Sequence, residues 1–395
     1  MLKHTLKIGL MGAYSTSDGY PNVKWLLESM ELSPEVEIIF GQFNNVKKEK
    51  SGLLNQSRKS KFDLILILTY LAYKSIVSLF TCLYLYNKNK IDLVYAPYPA
   101  HISLFILSFV PKPLRPPTFM DCFISLYDSI VLDRQLLKAN NVLAKLLLWF
   151  EKRSLHSTKK IIVDTESSAL YLSNLLGISN EKIIPFPLMT DEKNYLPTSY
   201  SKKKDSTIEV FFIGTFVPLQ GVEVIAEAAI KLAKNPKIHF TLIGHGQTSE
   251  KVKNILSQSK SNVTWLVDWQ SPKVINELIA NADICLGIFG KTAKASRVWP
   301  FKNYLSMRVG RAIISQETSC LPNYEKNKDL PYVSIPADNS DALVNMIKKL
   351  ASSADIREFY AKKSALYYKE NLANNKVFRK YLTLFTSEVF SKKHT

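Results

Sequence analysis

Cysteine, histidine and glycine are all scarce in this sequence, and each scarcity removes a class of function. The four cysteines, Cys82, Cys122, Cys285 and Cys320, lie far apart and form no C-x-x-C. That spacing suits neither a zinc ribbon nor a disulfide framework, and it reads as reduced, mostly buried thiols of a cytosolic protein. The six histidines contain no pair at helix or turn spacing, and no Asp-x-Asp occurs, so no metal motif is present. There is no G-x-S-x-G elbow and no Walker lysine, which makes hydrolase and NTPase readings poor. With 13 glycines and no Gly-rich or Pro-rich tract, the chain carries no low-complexity segment.

Acidic residues are also in short supply. Asp plus Glu number 34 against 52 Lys plus Arg, a net charge of +18. Residues 1–200 carry 23 basic and 17 acidic residues, and the remainder 29 and 17. The excess is dispersed; the longest basic run is Lys202–Lys204. Such a field attracts phosphate-bearing partners, whether nucleic acid, anionic lipid or nucleotide-sugar. No aromatic-plus-basic RNA motif or recognition helix supports the first of these, so no nucleic-acid partner is expected.

Long apolar runs are limited to one. Leu64–Tyr86 holds a single charge, Lys74, in 23 residues. The length would span a bilayer, but a charge near the middle is costly in lipid, and Tyr, Ser and Thr are scattered through it. A buried or membrane-surface helix is the expectation. The opening MLKHTLKIGLMGAYS has too short an apolar run for a secretory signal.

What is present alternates strand and helix. Strands are expected at Leu6–Met11, Val36–Phe40, Leu93–Ala96, Thr118–Met120, Lys160–Val163 and Lys182–Pro185, with helical spacing between them, as in Val23–Met30 and Val142–Ser154. Thr190–Thr207, polar and without period, reads as a linker. The pattern restarts with strand Glu209–Gly214 and helix Val222–Ala233 and runs through further strand–helix pairs to a last long helix, Asp355–Phe390. Alternation of this kind gives α/β units with parallel, doubly wound sheets and helices on both faces. The expected organisation is an N-terminal unit over 1–190, a linker over 191–207, a second unit over 208–365, and a C-terminal helix over 366–395 that packs back on the first unit. Two such units place a cleft between them, with ligands at the carboxyl ends of the strands.

The strongest local signal is Gly214-Thr215-Phe216-Val217-Pro218-Leu219-Gln220-Gly221, which joins a buried strand to an amphipathic helix. Two glycines allow close backbone approach, and the helix start offers free N–H groups to a diphosphate; an ordinary glycine turn is the alternative. LIGHGQ, with Gly244, is a second glycine turn at a strand end. In Ala282–Ser315 a strand runs to Phe289-Gly290, a loop carries Lys291, Lys294 and Arg297, and Pro300 precedes a helix opening with Lys302 and Asn303. A lysine at a helix N-terminus opposes the helix dipole unless an anion sits there, so Arg297 and Lys302 are candidates to hold a diphosphate; a solvated basic loop is the alternative.

These motifs, GTFVPLQGVE, the glycine turn and ADICLGIF…RVWPFKNYLSMRVGRAII, resemble the donor domain of GT-B glycosyltransferases, most closely the retaining family 4 type of bacterial cell-surface polysaccharide and lipopolysaccharide synthesis. The likeness is specific over residues 208–320 and looser in the N-terminal half, in GAYSTSDGYPNVKWL and FMDCFISLYDSIVLDR. It implies a GT-B fold and a hexosyltransferase-like, retaining, metal-independent transferase. It also implies a nucleotide-diphospho-sugar donor, no further cofactor, a lipid-linked or glycan acceptor, and a cytoplasmic place, peripheral on the inner face of the membrane.

Two departures stand out. Family members commonly place Arg and Lys in the first donor turn, where this chain has Thr215 and Gln220. Their Glu-x7-Glu pair is replaced by Arg297 and Leu305. Arg297 and Lys302 are expected to supply the missing positive charge; a catalytically inactive nucleotide- or sugar-binding subunit is the competing reading. The resemblance also draws attention to the polar residue after an N-domain strand, here Asp121, as base or sugar anchor or, more plainly, as a cap for the next helix. Asp128 is the second catalytic candidate. Asp128 and Asp133, five apart, are not expected to share a helical face, and Asp133 with Arg134 reads as a surface or interdomain pair. His101 reads as a satisfied structural histidine. Gly12 begins the loop expected to face donor and acceptor, in which Tyr14, Ser15, Asp18 and Tyr20 could contact sugar hydroxyls.

Overall fold

The computed structural model describes residues 5–16, 21–40, 61–200, 207–258, 262–322 and 329–390. Asp18 and Tyr20, and 201–206 of the expected linker, lie outside the described residues. The chain divides into two compact units, 1–189 with 374–395, and 190–373.

The first unit is built from β1 (Leu6–Leu10), α1 (Pro21–Leu32), β2 (Val36–Phe40), α2 (Lys61–Asn87), β3 (Leu93–Ala96), α3 (His101–Leu107), β4 (Thr118–Asp121), α4 (Val142–His156), β5 (Lys160–Val163), α5 (Glu166–Leu176) and β6 (Ile183–Pro185). The strands form one parallel sheet in the order β2-β1-β3-β4-β5-β6. β3 (LVYA) and β4 (TFMD) are buried along their whole length, as continuous runs must be when both sheet faces are covered. On one face Leu79 and Cys82 of α2, Leu104 and Leu107 of α3, Leu155 of α4 and Leu172 and Leu176 of α5 close a core. The other face is covered by Leu26 and Met30 of α1 and by Tyr381, Leu382 and Phe385 of the C-terminal helix Asn374–Phe390.

The second unit runs through β7 (Ile208–Ile213), α6 (Val222–Lys231), β8 (Ile238–Ile243), α7 (Ser249–Leu256), β9 (Val263–Leu266), α8 (Pro272–Asn281), β10 (Ile284–Leu286), α9 (Phe301–Val309), β11 (Ala312–Gln316), β12 (Val333–Ile335), α10 (Ser340–Ser352) and α11 (Ala354–Tyr367); the C-terminal helix is α12. Its sheet is parallel, in the order β12-β11-β10-β7-β8-β9. In both units the first strand lies inside the sheet, so the order reverses beside it: between β1 and β3, and between β7 and β10. Open α/β sheets bind ligands at that reversal, where successive connections leave on opposite faces.

Two expectations change. Residues 191–200 are not a free linker but part of the second unit: Arg308 Nε donates to Tyr195 O at 3.0 Å, Arg311 Nη1 to Thr198 O at 2.8 Å, and Tyr200 Oη to Asp283 Oδ1 at 2.6 Å. Buried arginines need acceptors, and the carbonyls of this polar segment supply them. The helix expected over Asp355–Phe390 breaks. A π-helical turn at Tyr368–Leu372 is followed by Ala373 at ψ 138°, outside the helical range, where the chain leaves one unit for the other. The apolar run Leu64–Tyr86 makes up most of α2, as a helix of the first unit. Leu79 and Cys82 are buried, while Tyr73, Ile76, Phe80 and Tyr84 are exposed on the opposite side. No helix among the described residues is long and apolar enough to cross a membrane.

Candidate active site

In the second unit the reversal point is built from loops pressed backbone against backbone. Gly221 sits at φ 61°, and a Cβ there would lie 2.4 Å from the carbonyl carbon of Phe289. A Cβ on Gly290 would lie 2.2 Å from Pro218 O. The turn after β7 and the turn after β10 therefore touch through main chain alone, and any side chain would part them. Gly244, after β8, abuts Gly214 O in the same way. Trp265 Nε1 donates to Gly244 O at 2.8 Å, and its ring stacks on Phe216 at 5.3 Å. Thr215 is exposed beside them.

Into this turn comes Lys302. The side chain leaves the first turn of α9, which has no side-chain cap and no acidic residue in that turn. Its Nζ donates to Gln220 Oε1 at 2.5 Å and lies 3.6 Å over the Phe212 ring and 3.5 Å from Gly287 O. It would be 2.8 Å from a Cβ at Gly214. The residue is buried, and loss of solvent pulls its ammonium well below the usual lysine range. These partners are neutral. Next to it Asn303 is buried, with neither amide nitrogen nor amide oxygen in a hydrogen bond. A buried cation without an anion and a buried amide without partners are both costly, and both costs fall if an anionic, hydrogen-bonding ligand enters.

The structure thus brings Gly214, Gln220, Gly244, Lys302 and Asn303 together. Arg297 is half-buried in the preceding loop, its N–H donating to Lys294 O at 3.0 Å. Leu305 is buried, as are the other residues of α9 from Lys302 to Met307. Phe212, which supports Lys302 through its ring, carries no sequence signal beyond being one apolar residue of a strand.

In the first unit Gly12 follows β1 at φ 96°, and its N–H donates to Ser78 Oγ at 2.9 Å. A Cβ there would meet Ala100 at 2.7 Å, so the β1 and β3 connections also meet at a glycine. Tyr14 and Ser15 are buried. Asp121 ends β4 and is buried, and Oδ2 accepts from Asn22 Nδ2 at 2.5 Å and from Tyr95 Oη at 2.9 Å. Asn22 Oδ1 in turn accepts from Met189 N at 2.8 Å. Burial raises the carboxyl to about 7, opposed by these two hydrogen bonds. The cluster joins α1, β3, β4 and residue 189; Tyr381 of α12 is also hydrogen-bonded to Asn22. None of Asn22, Tyr95 and Tyr381 stood out in the sequence, because each reads as one more residue of its element.

Asp121 does not cap the next helix. Glu151 of α4 does so: its carboxylate accepts from Leu126 N at 2.7 Å, Tyr127 N at 2.9 Å and Ser125 Oγ at 3.0 Å. Asp128 opens a π-helical turn, Asp128–Asp133, and accepts from Tyr171 Oη at 3.2 Å. The five-residue step of that turn, seen in Arg134 N donating to Ser129 O at 3.1 Å, brings positions five apart closer than an α-helix would. Asp128 and Asp133 are accordingly both buried. Asp133 and Arg134 are no surface pair, since only Arg134 is exposed. His101 is buried but not satisfied. Neither ring nitrogen is hydrogen-bonded; Nε2 lies 3.7 Å from Glu151 Oε1, and the ring sits between Tyr98 and Phe150.

Comparison with known proteins agrees with this geometry. Residues 199–366 match the family model described as glycosyl transferases group 1. No curated protein sequence matches. Among solved structures, sucrose-phosphate synthase from Thermosynechococcus elongatus is similar at TM-score 0.69 and 13% identity, over 98% of this chain and 100% of that one. HepE from Anabaena in complex with UDP is similar at TM-score 0.62 and 11% identity, over 97% and 100%. A glycosyltransferase from Rickettsia africae gives 0.63 and 14%, over 98% and 99%. The fold is GT-B: two Rossmann-like units, and the stretch that matches the group 1 glycosyl transferase model covers most of the second.

Proposed function

We propose that a chain with a group 1 glycosyltransferase domain on a GT-B scaffold, and with Lys302 buried at the β7–β10 reversal, transfers a sugar from a nucleotide-diphospho-sugar to a lipid-linked or glycan acceptor. The observation that carries this reading is the Lys302–Gln220 pair: a cation held without an anion at the point of a doubly wound sheet where ligands bind. A diphosphate there would take Lys302 Nζ directly, with the exposed Thr215 and the amide of Asn303 as further donors. The first turn has lost the charged residues usual in family 4, and Lys302 brings a charge to that turn from α9. Arg297 is assigned to the same anion.

The transferase is read as retaining and metal-independent, acting at the cytoplasmic face of a membrane, with the first unit on the acceptor side. Gly12 allows close approach at its reversal point. Asp121 is buried and bonded by Asn22 and Tyr95, which suits a positioning residue better than a base in contact with the acceptor, and Asp128 under Tyr171 suits the same role. A nucleotide-binding subunit without turnover is the second reading, favoured by Arg297 and Leu305 where family 4 enzymes have two glutamates.

The test starts with UDP, the nucleotide found with HepE, and extends to GDP and dTDP. A nucleotide at about 100 times its Kd adds about 2.7 kcal/mol of stability and raises the melting temperature. Lys302→Ala and Arg297→Ala are expected to abolish that rise. Donor-dependent glycosylation of lipid extracts then separates the two readings: binding with transfer supports the enzyme, and binding without transfer or donor hydrolysis supports the inactive subunit. No stabilisation by any of the three nucleotides would refute both.

A further inference from the structure

Three side chains of the kinds that bind metals meet inside the first unit. His101 is the first residue of α3, Cys122 the first after β4, and Glu151 belongs to α4. One ring nitrogen, the sulfur and one carboxylate oxygen all lie within 4.8 Å of one another, and the three residues are buried. Among the described residues this is the one group of three or more His, Cys, Asp or Glu side chains that closes up so far. The ligands stand 21 and 29 positions apart, at no motif spacing, so only the packing of three elements brings them together.

His101 is where the fold itself leaves a need. It is 2% exposed, its ring is held edge-on to Tyr98 at 5.9 Å, and neither ring nitrogen makes a hydrogen bond. A buried imidazole in that state has a lone pair without a donor, which is costly. Its Nε2 faces Glu151 Oε1 across 3.7 Å, too far for a hydrogen bond but close to the spacing of two ligands on one ion. Zinc bonds of about 2.0–2.3 Å at tetrahedral angles set neighbouring ligands about 3.3–3.6 Å apart, so the sulfur has about 1 Å at most to close. Glu151 has a lone pair to give, since Oε1 accepts one N–H, from Leu126. Tyr127 N and Ser125 Oγ hold Oε2 and so fix the carboxylate, as partners behind a metal ligand do. Ile124 O, 3.8 Å from Cys122 Sγ, stands at the spacing of a fourth ligand.

We infer that His101, Cys122 and Glu151 form a zinc site. Nitrogen, sulfur and a single carboxylate suit zinc and its stand-in cobalt, whereas magnesium and calcium take oxygen. Cys122 coordinates as the thiolate, and its proton passes to solvent. Thiolate and carboxylate together balance the two charges of the ion, so the buried complex is neutral, as a dry site requires. The ion ties the start of α3, the loop after β4 and α4 to one another. Its part is structural, and it is independent of the proposed function, in which transfer itself uses no metal.

The experiment takes the full chain, freed of metal by a chelator. Zinc is titrated in and followed by calorimetry and native mass spectrometry, and cobalt(II) by absorption. One zinc per chain is expected, with a rise in melting temperature that magnesium does not give. Cobalt is expected to show a thiolate charge-transfer band and the visible bands of a tetrahedral ion. Cys122→Ala removes the charge-transfer band, and Cys122→Ala and His101→Phe each weaken zinc binding about 100-fold or more. His101→Phe keeps the melting temperature of the metal-free chain or raises it, so its loss of zinc is not a loss of fold. No stoichiometric zinc, cobalt bound without the thiolate band, or zinc affinity unchanged in both variants overturns the inference. A chain that takes no zinc but is stabilised by UDP would leave the proposed function standing.

Discussion

Lys302 Nζ and Gln220 Oε1 lie 2.5 Å apart although 82 residues separate them in the chain. The contact joins the first turn of α9 to the turn that precedes α6, and so fastens the β10 connection to the β7 connection at the reversal of strand order. One partner is a cation removed from water, and the other is a neutral amide that cannot balance it.

That imbalance gives opposite signs for stability and binding. Lys302→Met keeps the apolar stem over Phe212 and removes a charge that burial penalises. The unliganded variant is expected to be more stable, by about 1 kcal/mol or more, and to bind UDP about 10- to 100-fold more weakly, the worth of a charged hydrogen bond. Thermal unfolding with and without UDP reads both. A loss of stability without nucleotide would show that Lys302 is a structural residue.

Gly221 is held by its backbone angle and by contact. Gly221→Ala sets a methyl group at φ 61° and 2.4 Å from the Phe289 carbonyl carbon. The variant is expected to lose about 2–4 kcal/mol and its response to UDP. Gly177→Ala, at the same φ of 61° but with only the Lys152 ammonium at 3.5 Å, serves as control and should cost about 1 kcal/mol. Equal losses for the two would remove the argument from loop contact.

Asp121 predicts a pH dependence. Its folded pKa of about 7 lies above the unfolded value of about 4, so the folded protein holds the proton more tightly. The contribution is fully present below about pH 4 and is lost as pH rises toward 7, on the order of 2–4 kcal/mol. Asp121→Asn retains an oxygen for Asn22 and Tyr95 but cannot ionise. Denaturant unfolding of the variant should lose this slope between pH 4 and 7; a slope equal to that of the parent would assign it elsewhere. As a positioning residue, Asp121 replaced by Asn should also lower kcat while UDP binding persists.

Glu151 and His101 are neighbours with different worth. Glu151→Ala leaves the N–H groups of Leu126 and Tyr127 without their acceptor in a buried place, and about 2–4 kcal/mol should be lost. His101→Phe removes two nitrogens that make no hydrogen bond and keeps a ring between Tyr98 and Phe150. It is expected to be neutral or stabilising. A destabilisation comparable to that of Glu151→Ala would mean that the histidine supports that carboxylate, whose Oε1 lies 3.7 Å from its Nε2.

The sequence by itself determined the architecture. Runs such as EVFFIG, separated by helices with one apolar face and ended by glycine, allow little besides parallel strands covered on both sides, and the glycine turns mark where the connections close up. That information is local, since strand or helix periodicity depends on neighbours two to four residues away. The site was legible only as parts. Lys302 at a helix start and Gly214 at a strand end each stood out, but their meeting over Phe212 depends on the order in which strands enter the sheet. The same limit explains Asp121, whose partners Tyr95 and Asn22 are 26 and 99 residues away, and Asp128, where a π turn replaced the expected α-helical spacing. It explains α4 as well: a segment apolar on both sides does not say which side the core will take, and only the packing of α3 and α5 beside it left Leu146 and Trp149 facing out. Burial of a charge, closure of a polar network and the choice of an outward face all arise from contacts between distant segments, and these the tertiary structure decided.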